Sequence, residues 1–302
     1  MKKLCDFVYG IVGLGLMGGS LGKAIRGNIL SGPGSSGKIY GSDINAASLD
    51  LAFSQHICDR VFSIDDVDAM LRECDFVYIC LYPHATVDFM KAHRDSFKSG
   101  AIVSDISGVK ALIFDSMDDF MRPDVDFIPG HPMAGSEKEG YVNSSGGIFK
   151  NHNYIVMPLE SNSRENVELF KTFVSELGFT RVVETDAKIH DHKIAFTSQL
   201  CHVIASSLVD SAEDNQITAF GGGSFEDLTR IALINAPLWT ELFLANRKEL
   251  LSHIDRFIQS LSTLRSEIEN GEDEKICAYL ENVRNRRMAM GRSDSKIGVK
   301  KD

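Results

Sequence analysis

Several features are missing from this 302-residue sequence, and each absence removes a class of function. Positive charge is in deficit: 32 lysines and arginines face 42 aspartates and glutamates, for a formal charge of −10. A nucleic-acid binder needs a basic face, so no nucleic-acid partner is expected. A site for an anionic small molecule must then be assembled from local cations. No stretch approaches the roughly 18 consecutive apolar residues that a membrane span needs, so no membrane partner is expected. The opening MKKLCDFVYGIVGLG has the outline of a signal peptide, but Asp6 precedes the apolar run and the run ends in a glycine pattern with another use. The six cysteines form no C-x-x-C pair and read as reduced thiols of a cytoplasmic protein. There is no H-E-x-x-H pattern, and His190 and His192 fall on different helix faces, so no metal site is expected from these two and His202. No internal repeat is visible.

What is present is strand–helix alternation through the first half. Apolar runs at 7–13, 38–43, 75–81, 101–105, 126–130 and 153–158 read as strands, and 64–74 and 163–178 as intervening helices. This is the pattern of an α/β, doubly wound Rossmann-type parallel sheet, with 180–185 expected as its closing strand. After residue 186 the pattern turns helical, with long helices over 188–211, 237–268 and 272–290. The reading is therefore a dinucleotide-binding domain over 1–186 and an all-α substrate and dimerisation domain over 187–302, with a flexible tail from about 292. The apolar stripes of the helical part exceed what one small bundle can bury, which predicts a homodimer.

The most specific local signal is 13-GLGLMGGSLG-22, a G-x-G-x-x-G placed directly after a strand and opening a helix. Gly13 permits the tight turn, Gly15 the approach of a pyrophosphate, and Gly18 the close packing of helix on strand. Leu16 and Met17 complete the turn. Asp43, at the end of the second strand, is the expected ribose partner; its carboxylate would repel a 2′-phosphate, so NAD is the expected cofactor. Ligands of such sheets sit beyond the carboxyl ends of the strands. That draws attention to 81-LYPHAT-86, 105-DISGVK-110 and 130-GHPMAGSE-137, and within the last to His131. In the helical half, Ser198 and His202 are four apart and share a helix face. The glycine cluster 221–223 leads to Arg230, whose planar fork suits a carboxylate.

Four segments, GLGLMGGSLG, HPMAGSEKEG, HDHKIAFTSQLCH and GGGSFEDLTRIALINAPLW, resemble the prephenate dehydrogenase family over nearly everything from Gly10 to about Met290. The resemblance implies a dinucleotide-binding domain joined to a helical dimerisation domain. It also implies oxidation of prephenate, with loss of CO2, to 4-hydroxyphenylpyruvate in tyrosine biosynthesis. By resemblance, His131 engages the substrate ring hydroxyl and Arg230 clamps a ring carboxylate. Ser198 and His202 match a helix motif usually reading S-H-L-P-H, here with Gln199 and Cys201 substituted. A family D-x-x-S-x-K appears as 105-DISGVK-110, with Gly108 at the serine position and Ser107 one earlier; Ser107 is the catalytic candidate there. Ser136 and Glu137 join the substrate set. Arogenate, with an amine in place of the keto group, is an alternative substrate for which Glu137 or Glu139 would supply an acidic partner. A β-hydroxyacid dehydrogenase using Lys193 and a non-catalytic NAD sensor are the remaining readings.

Overall fold

A computed structural model describes residues 3–290 of the chain; the tail expected from about 292 lies outside the described residues. Nine strands are described: β1 (Val8–Val12), β2 (Lys38–Ser42), β3 (Arg60–Phe62), β4 (Phe76–Ile79), β5 (Ile102–Asp105), β6 (Asp126–Phe127), β7 (Gly130–Pro132), β8 (Asn153–Val156) and β9 (Arg181–Glu184). The first six form one sheet in the order β3-β2-β1-β4-β5-β6, all parallel. The order reverses at β1, between β2 and β4, which is where a doubly wound sheet opens a crevice for a ligand.

The strands read as continuous apolar runs because helices cover both faces. Helices α1 (Leu16–Ala24), α2 (Ala46–Ser54), α3 (Val67–Glu73), α4 (Pro83–Ala92), α5 (Ala111–Asp115), α6 (Met117–Phe120) and α7 (Arg164–Glu176) accompany the sheets. Polar residues start them where the pattern predicts. Asn45 accepts the N–H groups of Ala47 and Ser48 at the head of α2, and Ser163 accepts that of Asn166 at the head of α7. One face of the main sheet is closed by an aromatic cluster. Phe76 lies 4.7 Å, centroid to centroid, from Phe173 and stacks on Tyr78 and Phe170. All of these are buried, and rings at such distances add to the burial energy.

Two expectations for the strands require correction. The segment 180–185 does form a strand, but β9 does not close the main sheet. It belongs to a second sheet, β7-β8-β9, in which β7 and β8 are antiparallel and β8 and β9 parallel. The apolar run 126–130 accordingly splits at Ile128–Pro129: β6 ends the main sheet and β7 begins the small one. His131 therefore sits within β7, paired with Ile155, rather than beyond a strand end of the parallel sheet. The short strand β3 escaped the sequence reading because only its last residue is buried.

Beyond β9 the described chain is helical: α8 (Ala187–Ile194), α9 (Leu200–Asp210), α10 (Gly223–Thr229), α11 (Ala236–Ala245), α12 (Arg247–Glu269) and α13 (Asp273–Met290). The helix expected over 188–211 is interrupted by a π-helical turn at Ala195–Gln199, and the one over 237–268 breaks at Asn246. Both interruptions meet. Gln199 donates to the Leu242 carbonyl at 2.7 Å and accepts from Asn246 at 2.8 Å, while Asn246 donates to the Asp191 carbonyl at 2.9 Å. All three groups are buried, so each break is satisfied by the other. No helix among the described residues is long and apolar enough to cross a membrane.

Candidate active site

The glycine turn between β1 and α1 fits a dinucleotide on steric grounds. Gly13 has φ = +89°, and a β-carbon there would lie 2.6 Å from the Cys80 carbonyl oxygen. A β-carbon on Gly18 would lie 1.8 Å from the Gly13 carbonyl oxygen, so helix and turn touch directly. At Gly15, by contrast, nothing lies within 4 Å: the backbone faces open space at the head of a helix. That combination, two glycines demanded by protein and one bordering a void, is what a bound pyrophosphate requires. Asp43 closes the turn from β2. Its carboxylate accepts the Leu14 N–H at 2.5 Å and the Asn45 N–H at 2.7 Å, which anchors it at the end of β2 against the loop.

A cleft of about 630 Å³ runs from this turn to the helical part. Gly15, Leu16, Met17 and Gly18 line one end. His131 and Ser107 line it from β7 and the end of β5, Ser198, His202 and Arg230 from the helical part, and Ser136 and Glu137 from the loop after β7. The residues singled out for NAD and prephenate are thus brought to one cavity, except Gly13 and Asp43, and Lys193, the candidate of the β-hydroxyacid dehydrogenase reading, does not line it.

His131 is the most constrained of them. Its Nδ1 lies 2.9 Å from His190 Nε2, and His190 Nδ1 lies 2.7 Å from Asp191 Oδ1. Asp191 also accepts the backbone N–H groups of Lys110 and Ala111 at the head of α5. Burial, and then the neighbouring His190 and Lys110, push the His131 pKa well below the ordinary histidine value, which favours the neutral ring. Burial also lowers the His190 pKa, against the opposing pull of Asp191.

Behind His131 lies a fully buried ion pair. The Lys110 ammonium is 2.5 Å from Asp105 Oδ2 and 2.6 Å from the Gly130 carbonyl oxygen. Sequence reasoning quoted 105-DISGVK-110 but assigned no role to this lysine, nor to His190 and Asp191 as a pair. The available signals were an Asp and a Lys five residues apart after a strand, and a His-Asp pair opening a helix. Ser107 donates its N–H to Asp105, and its own hydroxyl is buried without a partner among the described residues. A buried hydroxyl left open beside a cleft suits a ligand hydroxyl.

In the helical part, the His202 ring stacks on Trp239 with centroids 3.5 Å apart, and its Nδ1 donates to the Ser198 carbonyl at 3.0 Å. Burial lowers its pKa; the bond to the Ser198 carbonyl opposes that shift, and Arg230 adds to it. Arg230 is exposed at the rim, 3.6 Å from Glu137. An exposed pair at that distance is weak, so the guanidinium is free to change partner. Asn235 caps α11 through the Leu238 N–H and donates to both Tyr82 Oη, at 3.0 Å, and Glu139, at 2.6 Å.

A glycine turn against a void, a histidine in the adjoining cleft and an arginine at its rim suit a dinucleotide beside a small anionic molecule. Comparison with known proteins specifies the family. Residues 26–183 match the nucleotide-binding domain of prephenate dehydrogenase, and residues 186–282 match its dimerization domain. The chain belongs to the prephenate dehydrogenase family. It is 28% identical over 293 residues to the cyclohexadienyl dehydrogenase of Zymomonas mobilis, covering 93% of this chain and 94% of that one. It is 27% identical to the prephenate dehydrogenase of Bacillus subtilis, covering 95% of this chain and 76% of that one. Among solved structures, the prephenate dehydrogenase of Aquifex aeolicus, in complex with hydroxyphenyl propionate and NAD+, has 30% identity and a TM-score of 0.83, covering 94% of this chain and 98% of that one.

The two cleft glycines have separable effects. Gly15→Ala adds a methyl group where nothing stands in its way, so the melting temperature should stay put while the Kd for the dinucleotide rises at least tenfold. Gly18→Ala forces a carbon into the Gly13 carbonyl and should lower the melting temperature as well. Thermal melts and dinucleotide titrations on both variants check this; equal effects on stability would contradict the assignment.

Proposed function

We propose that this protein oxidises prephenate with NAD, releasing CO2 and 4-hydroxyphenylpyruvate. The observation that carries the reading is the placing of His131 in one cleft with the glycine turn and Arg230, a cleft large enough for the reacting end of a dinucleotide and a small ring. NAD, when bound, accepts the hydride from the ring carbon that bears the hydroxyl. His131 draws off the hydroxyl proton as carbonyl character grows on that carbon; a neutral imidazole suits this task. Departure of CO2 from the opposite ring carbon returns electrons to the oxygen, and the imidazolium gives the proton back as the ring becomes aromatic. Ser107 presents its open hydroxyl to the same oxygen. Arg230 exchanges Glu137 for a substrate carboxylate, and Ser198, Ser136 and the His202–Trp239 stack border the ring. The rest is positioning.

Asp43 supports NAD over NADP, because a carboxylate anchored at the end of β2 repels a 2′-phosphate. The division of labour follows residue 186 only in part: the part before it takes the dinucleotide, the part after it the dimer contacts, and both supply residues to the substrate. A cytoplasmic setting fits six free cysteines. A second reading, arogenate as substrate, is favoured by one observation. Two carboxylates, Glu137 and Glu139, line the same cleft as Arg230 and would face an ammonium. Turnover followed at 340 nm with each substrate and each cofactor separates the readings. Prephenate with NAD is expected to give the highest kcat/KM; a preference for arogenate or equal use of NADP would overturn the corresponding part.

Arg230→Ala removes the fork for a carboxylate in a protein carrying ten excess negative charges. Hydrogen bonds to charged groups contribute about 1.5–3 kcal/mol each. The KM for prephenate should rise roughly tenfold or more, with a smaller effect on kcat. Arg230→Lys should restore only part, since a point charge lacks the planar fork. An unchanged KM with a lowered melting temperature would make Arg230 structural.

The homodimer is supported by the family's dimerization domain and by a stripe on α12. Leu251, Ile258, Leu261 and Ile268 recur at seven- and three-residue steps and are each at least half exposed. Such a stripe is costly in water without a partner. Sedimentation at micromolar concentration should show a dimer, and Ile258→Asp with Leu261→Asp should yield monomers. A monomeric parent protein would remove the proposal.

A further inference from the structure

His131 has two ring nitrogens, and only one of them can serve the cleft. Its Nδ1 is engaged by His190. Its Nε2 lies on the cleft side, 3.7 Å from where a β-carbon on Gly108 would stand, and Gly108 has no side chain to offer it. Among the described residues no group hydrogen-bonds to Nε2. Whether this nitrogen carries a lone pair or a proton is therefore set from the other side of the ring. A base in the cleft needs the lone pair there.

We propose that Asp191 and His190 together act as a positioning pair that fixes His131 as the Nδ1–H tautomer and so reserves Nε2 as the base. This rests on the function proposed above and extends it to residues outside the substrate's reach. The polarity runs outward from Asp191. Its two oxygens accept the backbone N–H groups of Lys110 and Ala111, at 2.8 to 3.1 Å. With donors of fixed polarity on both oxygens, the carboxylate is oriented as an acceptor, and it accepts from His190 Nδ1–H at 2.7 Å. His190 must then hold its lone pair on Nε2. At 2.9 Å that lone pair takes the Nδ1–H of His131. Each assignment forces the next, and the last one leaves the His131 Nε2 lone pair facing the cleft.

The same chain serves the reacting state. When the substrate O–H bond breaks and an N–H bond forms on Nε2, the new imidazolium still donates Nδ1–H to His190. Its charge is then shared toward the Asp191 carboxylate. When electrons return to the substrate oxygen, the Nε2–H bond breaks and the proton goes back. The pair neither gains nor loses a proton over the cycle. His190 is 1% exposed and Asp191 5%, so water does not compete for these bonds. Three elements hold the pair: α8 carries both residues, α5 supplies the N–H groups, and β7 carries His131.

The tautomer is directly measurable. In protein labelled with 15N in its histidines, at pH 7.5, the His131 signals are identified by their loss in His131→Asn. They should report a protonated Nδ1 and an unprotonated Nε2. A protonated Nε2, or a rapid average of the two tautomers, would overturn the proposal without any variant of the pair. Asp191→Asn is the second arm. The amide keeps an oxygen for the backbone N–H groups but presents its NH2 to His190, which reverses both downstream hydrogen bonds and places a proton on His131 Nε2. The expected result is a tautomer switch in the spectrum and a loss of kcat of roughly 10²–10⁴-fold. The KM values for prephenate and NAD should stay within about threefold. A kcat within about threefold of the parent, in a variant that melts normally, would overturn the proposal. His190→Gln, whose amide offers both an acceptor and a donor, should retain more kcat than His190→Leu; equal losses would argue against an orienting role. If His131→Asn itself leaves kcat within about threefold, the proposed base is wrong. If His131→Asn abolishes turnover but Nε2 proves protonated, only this inference falls.

Discussion

The arrangement hangs on Lys110. Its ammonium is wholly buried, bonded to the Asp105 carboxylate at the end of β5 and to the Gly130 carbonyl at the start of β7. Its backbone N–H is bonded to Asp191 in α8. One residue thus ties the main parallel sheet, the strand that carries His131, and the first helix of the helical part. Burial lowers the lysine pKa and Asp105 opposes that shift. A pair of this kind contributes little net stability, because desolvation offsets most of the attraction. What it does is forbid alternatives: displacing β7 or α8 would strand a charge in a dry interior.

That constraint explains why a small second sheet exists at all. His131 has to face the switch point of the main sheet while remaining backed by α8. A strand extending the parallel sheet would aim its end at the cofactor but could not bring His190 behind the ring. Splitting the 126–130 run lets β6 finish the parallel sheet and β7 turn to pair with β8. Gly130 makes the junction possible, since a β-carbon there would collide with the Tyr154 hydroxyl.

Electrostatics divides the cleft into a fixed and an adjustable part. Behind His131 the charges of Lys110, Asp105 and Asp191 are buried and held by short hydrogen bonds. At the rim, Arg230 and Glu137 are exposed and only 3.6 Å apart, a contact weak enough to be exchanged for a substrate carboxylate. A chain with a charge of −10 can attract an anion only locally, and Arg230 is the cation proposed for that task.

The sequence alone determined the parts that depend on spacing and on backbone sterics. The alternation of apolar runs carried the parallel sheet, because strands covered on both faces have no polar side to blur the signal. The glycine turn was legible because Gly13 adopts a positive φ and a β-carbon on Gly18 would strike the Gly13 carbonyl of the same turn, and the helical half because its apolar stripes repeat at helical spacing. Near-family spelling around His131 and Arg230 supplied the rest of the candidate residues. Only the tertiary structure decided the sheet to which β9 belongs, the paired breaks at Gln199 and Asn246, and the line from Asp191 through His190 to His131. The reason is physical. His131 and His190 are 59 positions apart, Lys110 and Asp191 81, and such pairings depend on how elements pack rather than on any local pattern. A buried histidine, a buried lysine and a buried aspartate look in sequence like three unrelated polar residues; packing alone makes each the partner that the others require.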